Sequence, residues 1–212
     1  MSKKKVTTKA KYRLFGARQC GSMITEAFLR WAKIPYDYEE LKWDERAKWP
    51  TIIGQYNSLP QVPTLILPNQ EVLTETLATA VHANRKRSGL IPTVAKDADR
   101  FWRWAVFLVA NIYPTFTFRD NAADYVATQP ARDKMIEEVV RRRKNMWLAM
   151  EKECGDKWFL GNKFSAIDVY FSIMTMWGPG KDWFKQYCPK INAVADRTAK
   201  TEPFKKLFKD HA

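Results

Sequence analysis

The hydrophobic period of this 212-residue chain changes once, near Asp97, and that change limits what the chain can fold into. Before it, short β-prone runs alternate with one-faced helical patterns; after it, only helical periodicity remains. Tyr12 to Phe15 is an apolar, β-prone run closed by Gly16. Ile24, Ala27, Phe28 and Trp31 then recur at helical spacing from a start at Gly21-Ser22. Pro35 stops that helix, and Tyr36-Asp37-Tyr38 follows as a second strand. Asn57 to Pro60 reads as a loop and Thr64 to Leu67 as a strand. Pro68-Asn69-Gln70 turns the chain into Val72-Leu73, an antiparallel partner, and Thr74 opens the next helix. The order is β-α-β, an irregular stretch, then β-β-α.

From Asp97 onward, Phe101, Ala105, Leu108 and Ile112 share one helical face, which Pro114 is expected to end or kink. The pattern predicts a long helix over roughly Ala131 to Glu153, another from Ser165, and two shorter ones bounded by Pro189 and Pro203. Arg85 to Thr93, with Gly89 and Pro92, reads as a linker, and there is no internal repeat. The expected organisation is a basic tail over residues 1–10, an α/β domain over 11–87 and an all-α domain over 92–212.

Apolar residues make up 46% of the chain and aromatics 14%, including 9 Trp, which excludes a disordered composition. No apolar run approaches the roughly 18 residues of a membrane span, and the basic start is not followed by an apolar stretch, so the expectation is a cytoplasmic protein with no membrane contact. Cys20, Cys154 and Cys188 are odd in number and far apart, without CxxC or metal-ligand spacing. Neither a disulfide framework nor a metal site is expected. His82 and His211 suggest no metal constellation and no partnered catalytic arrangement. The formal charge of +13 raises nucleic acid as a partner, since clustered cations release counterions from phosphates. The runs at Lys3-Lys4-Lys5, Arg141-Arg142-Arg143-Lys144 and Lys205 to Lys209 join no nucleic-acid-binding signature, so the reading is a solvated basic surface.

The best-defined local signal is Ser165-Ala166-Ile167-Asp168, a capping box. The Ser hydroxyl accepts from the amide three residues on, the Asp carboxylate reaches back, and its charge suits the helix N-terminus. Read with Asn57-Ser58-Leu59-Pro60-Gln61-Val62-Pro63-Thr64-Leu65 and with Leu73-Thr74-Glu75-Thr76, in that order and at those separations, the chain resembles the cytosolic glutathione transferase superfamily from about Tyr12 to Phe208. The resemblance is to bacterial-type members with a Cys/Ser loop, and it assigns no class.

That resemblance implies a thioredoxin-like N-terminal domain, an all-helical C-terminal domain and glutathione as co-substrate. It also implies a homodimer and a detoxifying transfer of glutathione to a hydrophobic electrophile. In the family, the peptide corresponding to Val62-Pro63 is cis, and the residue before the proline pairs its backbone with the cysteinyl unit of glutathione. An ordinary trans proline before an edge strand is the plainer alternative. Gln61, Val62 and Pro63 are thus candidate glutathione contacts. Glu75 and Thr76 would hold the γ-glutamyl end, since a helix N-terminus receives a carboxylate and a side-chain carboxylate receives an ammonium; simple capping is compatible with that role. Lys42 and Lys48 lie in the irregular stretch where the family often places a cation for the glycine carboxylate, Lys48 being the candidate, and an ordinary surface lysine is the plainer alternative.

Catalysis needs a group that favours the thiolate, because a thiol of pKa about 8.5 is mostly protonated at neutral pH. The family places a Tyr, Ser or Cys at the start of the first helix, which here falls between Gln19 and Ser22. Cys20 is the first candidate and Ser22 the second, against the plainer readings of a buried small residue and an N-cap. Reactive Cys20 implies thiol transfer, reduction or a lyase; Ser22 implies conjugation. A non-catalytic interaction module with this fold is a further alternative.

Overall fold

A computed structural model describes residues 11–212; the expected basic tail lies outside the described residues. The chain opens with strand β1 (Tyr12–Gly16), helix α1 (Gly21–Trp31) and strand β2 (Tyr36–Glu40), as the early pattern predicts. The irregular stretch resolves into a 3-10 turn over Trp43–Lys48 and a short helix α2 (Trp49–Ile53). Strands β3 (Thr64–Ile66) and β4 (Val72–Leu73) then lead into helix α3 (Thr76–Lys86). The four strands form one sheet in the order β2-β1-β3-β4, with β1 and β2 parallel and the other neighbours antiparallel. This is a thioredoxin-like sheet.

Alternation within β1 and β3 assigns the two faces of the sheet. Leu14 and Leu65 join Leu29 and Ile34 in one buried cluster, whereas Phe15 and Ile66 join Ala17, Leu41, Trp49 and Ile53 in the other. Helix α1 is tied to α3 by a buried hydrogen bond between the Thr25 and Thr79 hydroxyls, 2.9 Å. The sequence divides into one unit that ends at Ser88 but also takes in Lys206–Ala212, and a second unit of Gly89–Lys205.

The second unit is helical. It comprises α4 (Ala95–Phe107), α5 (Tyr113–Asp120), α6 (Ala122–Tyr125), α7 (Gln129–Glu153), α8 (Ala166–Met174), α9 (Lys181–Tyr187) and α10 (Pro189–Lys200), while α11 (Phe204–Asp210) runs from it into the closing residues of the first unit. Of the two outcomes expected at Pro114, an end or a kink, the helix does not end there. A wide π turn over Leu108–Ile112 precedes it, and the helical path continues into α5 with Pro114 in its first turn. The proline lacks an N–H and crowds the carbonyl one turn back, and a widened turn accommodates both.

Every residue of α8 is buried, which makes it the axis of the unit. The aromatic core around it includes Trp147 against Phe171 and Phe184, at centroid separations of 5.8 and 5.1 Å. The capping box forms: Asp168 accepts from the Ser165 amide (2.7 Å), the Ser165 hydroxyl (3.2 Å) and the Phe159 amide (2.8 Å). One member of the basic run in α7 departs from the expected solvated surface: Arg143 points inward and is buried.

Candidate functional site

Strand register brings the separated motifs to one end of the sheet. Phe15 faces Thr64 across the β1–β3 pair, so continuing that pairing sets Ala17 opposite Val62. Leu65 faces Leu73 across the β3–β4 pair, and the same continuation sets Pro63 opposite Glu75. The loop entering α1, the Val62-Pro63 peptide and the residue before α3 therefore adjoin. Cys20 and Val62 also pack against the same buried cluster.

Each local backbone shows how it is held. The Val62-Pro63 peptide is cis. Gln61 is exposed, Val62 half-buried and Pro63 buried, and among the described residues nothing hydrogen-bonds the Val62 backbone. The Thr64 hydroxyl donates to the Gln61 carbonyl (2.7 Å) and accepts from the Asn57 side-chain amide (3.0 Å), fixing the turn from inside. Glu75 stands at φ 61°, ψ 114°, a conformation that a side chain makes costly. Its carboxylate is exposed, directly before α3, where Thr76 begins the helix and is buried.

At the start of α1, Cys20 occupies the cap position and is half-buried, following Gln19 at φ 54°. Its thiol donates to the Ala17 carbonyl at 3.1 Å and lies 3.2 Å from the Ser22 hydroxyl. Burial pushes the Cys20 thiol up, against the opposing pull of the Ser22 hydroxyl and nearby amides. Ser22 is not the N-cap of the plainer reading, since Cys20 holds that position. It is fully buried inside the first turn, where its hydroxyl accepts from the Ala17 amide (2.9 Å) and donates to the Ala17 carbonyl (3.0 Å). That hydroxyl is the brace of the loop and not an outward-facing group. Gly16 permits the brace, because a β-carbon there would come within 2.7 Å of the Ser22 oxygen.

Lys48 is not gathered in with the others: it ends the 3-10 turn, exposed, with its ammonium 2.7 Å from Glu45. Tyr12 lies at the far end of β1, and its hydroxyl meets His82 at 3.0 Å. His211, for which the sequence suggests neither a metal nor a catalytic partner, is buried and has structural partners. Its Nε2 lies 2.7 Å from Glu26, its Nδ1 accepts from the Gln19 amide at 3.4 Å, and its carbonyl accepts from the Gln19 side chain at 3.0 Å. Sequence reasoning missed this support of the Cys20 loop; no spacing signal links residues 19 and 211. Among the described residues no group of three or more His, Cys, Asp or Glu could hold a metal, and no helix is long and apolar enough to cross a membrane.

A thioredoxin-like sheet with this end, followed by a helical unit built around a capped central helix, defines the glutathione transferase class of fold. The chain belongs to the glutathione transferase superfamily. It is 32% identical over 200 residues to the uncharacterized GST-like protein YncG of Escherichia coli (strain K12), covering 93% of this chain and 97% of that one. No protein-family model matches. Solved structures share the fold, among them two in complex with glutathione. A glutathione transferase homologue from sulfitobacter, with bound glutathione, superposes with a TM-score of 0.85 at 18% identity, over 95% of this chain and 98% of that chain. A sphingomonad glutathione S-transferase complexed with glutathione gives 0.76 at 23% identity, over 94% and 98%.

Proposed function

We propose that the protein binds glutathione across the end of its sheet and transfers the glutathionyl group to an apolar electrophile. What supports this reading is the register: Phe15 pairs with Thr64 and Leu65 with Leu73, so the segments that lead to Ala17, to Val62-Pro63 and to Glu75 leave the sheet at the same end. In it, the Val62 backbone pairs with the cysteinyl unit as an added strand would, flanked by Gln61 and shaped by Pro63. The Glu75 carboxylate takes the γ-glutamyl ammonium, and Thr76 with the first-turn amides of α3 takes the α-carboxylate. Lys48 meets the glycine carboxylate once its ion pair with Glu45 opens. The strain at Glu75 is consistent with a residue held for binding and not for stability.

The thiolate sits at the N-terminal end of α1, where the helix dipole favours it and the Cys20 S–H, once released from the Ala17 carbonyl, donates to it. Its sulfur attacks an electrophilic carbon, a new S–C bond forms, and the leaving group departs with its bonding electrons. Burial of Cys20 supports conjugation over thiol transfer, because a mixed disulfide through Cys20 requires its thiolate. Family membership and the exposed Trp102 and Val106 on one face of α4 support a homodimer, and the reading places the protein in the cytoplasm.

The test is retention on immobilised glutathione with elution by free glutathione, followed by conjugation of a chlorodinitrobenzene. Retention and turnover support the reading. Flow-through combined with salt-sensitive RNA binding would replace it with an interaction module.

A further inference from the structure

Thr64 opens β3 opposite Phe15 of β1 and is fully buried, yet it carries a hydroxyl into that interior. A buried hydroxyl needs partners, and this one spends its single proton on the Gln61 carbonyl at 2.7 Å. In turn it accepts from the Asn57 side-chain amide at 3.0 Å. The orientation of that amide is set at its other end, where Asn57 Oδ1 accepts from the Leu59 amide at 3.0 Å. The backbone N–H of Asn57 donates to the carbonyl of Ile53, the last residue of α2, at 2.9 Å. A chain of bonds that begins in α2 and ends in the sheet therefore holds the Gln61 carbonyl.

That hold decides the direction of a second group. The Gln61 carbonyl and the Val62 N–H belong to one peptide unit. Among the described residues the cis peptides are Val62-Pro63, Gly178-Pro179 and Glu202-Pro203, so the Gln61-Val62 peptide is trans and its C=O and N–H point in opposite directions. Drawing the carbonyl toward Thr64 turns the Val62 N–H away from that buried hydroxyl, and the N–H has no hydrogen-bond partner among the described residues. An added strand would use this donor, and Pro63 offers none in its place because proline has no N–H. Released from Thr64, the peptide plane would be free to turn, and a ligand would bear the cost of ordering it.

Resting on the glutathione reading above, we infer that Thr64 is a positioning residue for glutathione. Its hydroxyl, fixed by Asn57, aims the Val62 N–H at the cysteinyl unit while Thr64 itself stays buried and out of contact with the ligand.

The test is calorimetric titration of glutathione into the full chain, with KM and kcat measured alongside, for the wild type, Thr64→Val and Thr64→Ser. Valine keeps the β-branched shape and deletes the hydroxyl, so Thr64→Val is expected to weaken glutathione binding about tenfold and to raise the KM for glutathione in step, with kcat moving less. Thr64→Ser keeps the hydroxyl and should bind within about threefold of the wild type. Hydrogen exchange adds a second readout: saturating glutathione should protect the Val62 amide in the wild type and in Thr64→Ser, and protect it less in Thr64→Val. Equal affinity in wild type and Thr64→Val, a Thr64→Ser protein as weak as Thr64→Val, or a Val62 amide that bound glutathione leaves unprotected in the wild type overturns the positioning role and leaves glutathione binding in place. A wild type that binds no glutathione overturns the binding reading and the role of Thr64 with it. If Thr64→Val does not fold, Asn57→Ala, which removes the bond that fixes the hydroxyl, replaces it in the same comparison: a several-fold loss of affinity supports the role, and wild-type affinity overturns it.

Discussion

His211 and Glu26 meet at 2.7 Å in the interior of the first unit although 185 positions separate them in sequence. Glu26 also accepts from Tyr36 (2.6 Å) and Arg30 (2.6 Å), and Arg30 continues to Asp210 at 2.7 Å. Through the Gln19 amide and side chain, this network reaches the loop that carries Cys20.

His211→Ala should therefore act at two levels. Leaving buried Glu26 without one partner is expected to destabilise the protein by about 2–4 kcal/mol, measured by urea denaturation. Freed of its hold, the Gln19 loop should lower glutathione affinity several-fold. Unchanged stability and affinity would show the network to be incidental.

Acid should weaken the same network. Burial works to raise the Glu26 carboxyl, but the hydrogen bonds of His211 and Tyr36 and the charge of Arg30 outweigh it and hold it below the ordinary range. A carboxyl with a depressed folded value contributes stability that is fully present above its unfolded value, about 4.3, and lost as pH falls through the folded one. Urea midpoints should fall on acidification below about pH 4. Glu26→Gln should be less stable at neutral pH and show a shallower acid decline.

Cys20 should alkylate slowly. With burial pushing its thiol up, iodoacetamide is expected to modify it more slowly at neutral pH than it modifies free cysteine, and to accelerate in alkali. Cys154 and Cys188, buried and pushed up to about 12, should stay unmodified in the native protein. Rapid neutral alkylation at Cys20, read by peptide mass mapping, would restore the thiol-transfer reading.

Glu75→Gly separates binding from stability. Glycine relieves the positive φ, so the unfolding temperature should hold or rise, by up to about 1 kcal/mol of stability. Loss of the carboxylate should lower glutathione affinity by roughly tenfold. Intact affinity would remove Glu75 from the proposed site.

Asp168→Ala removes the acceptor for two buried amides and is expected to cost about 2–4 kcal/mol. Ser165→Ala, which loses only the hydroxyl cap, should cost about 1 kcal/mol. Chemical denaturation of both variants checks the order.

What could be read from the sequence was local. Leu14 and Phe15 alternate faces, Phe101, Ala105, Leu108 and Ile112 stack at helical spacing, and Ser165 with Asp168 forms its box within four residues. These signals depend on neighbours a few positions apart. The behaviour around Pro114 depended on how the preceding turn could widen, which no propensity encodes. Ser22 and Cys20 are both small polar residues at a helix start, and only the depth of Ala17 and Gly16 decides which of them turns inward. Arg143 sits in a run of four basic residues, and nothing in that run marks which member faces the core. The candidate site depends on register, which is visible only when β1, β3 and β4 are paired.

The clasp of His211 on Gln19 also sets an order of events. During synthesis, the loop bearing Cys20 leaves the ribosome early, but its anchor is made 192 residues after Gln19. Domains fold as units while the chain emerges, and contacts of such separation close late. A nascent chain short of residue 211 has its sheet residues in hand and lacks the fastening of the loop that carries Cys20, so the order of that loop waits on translation of its anchor.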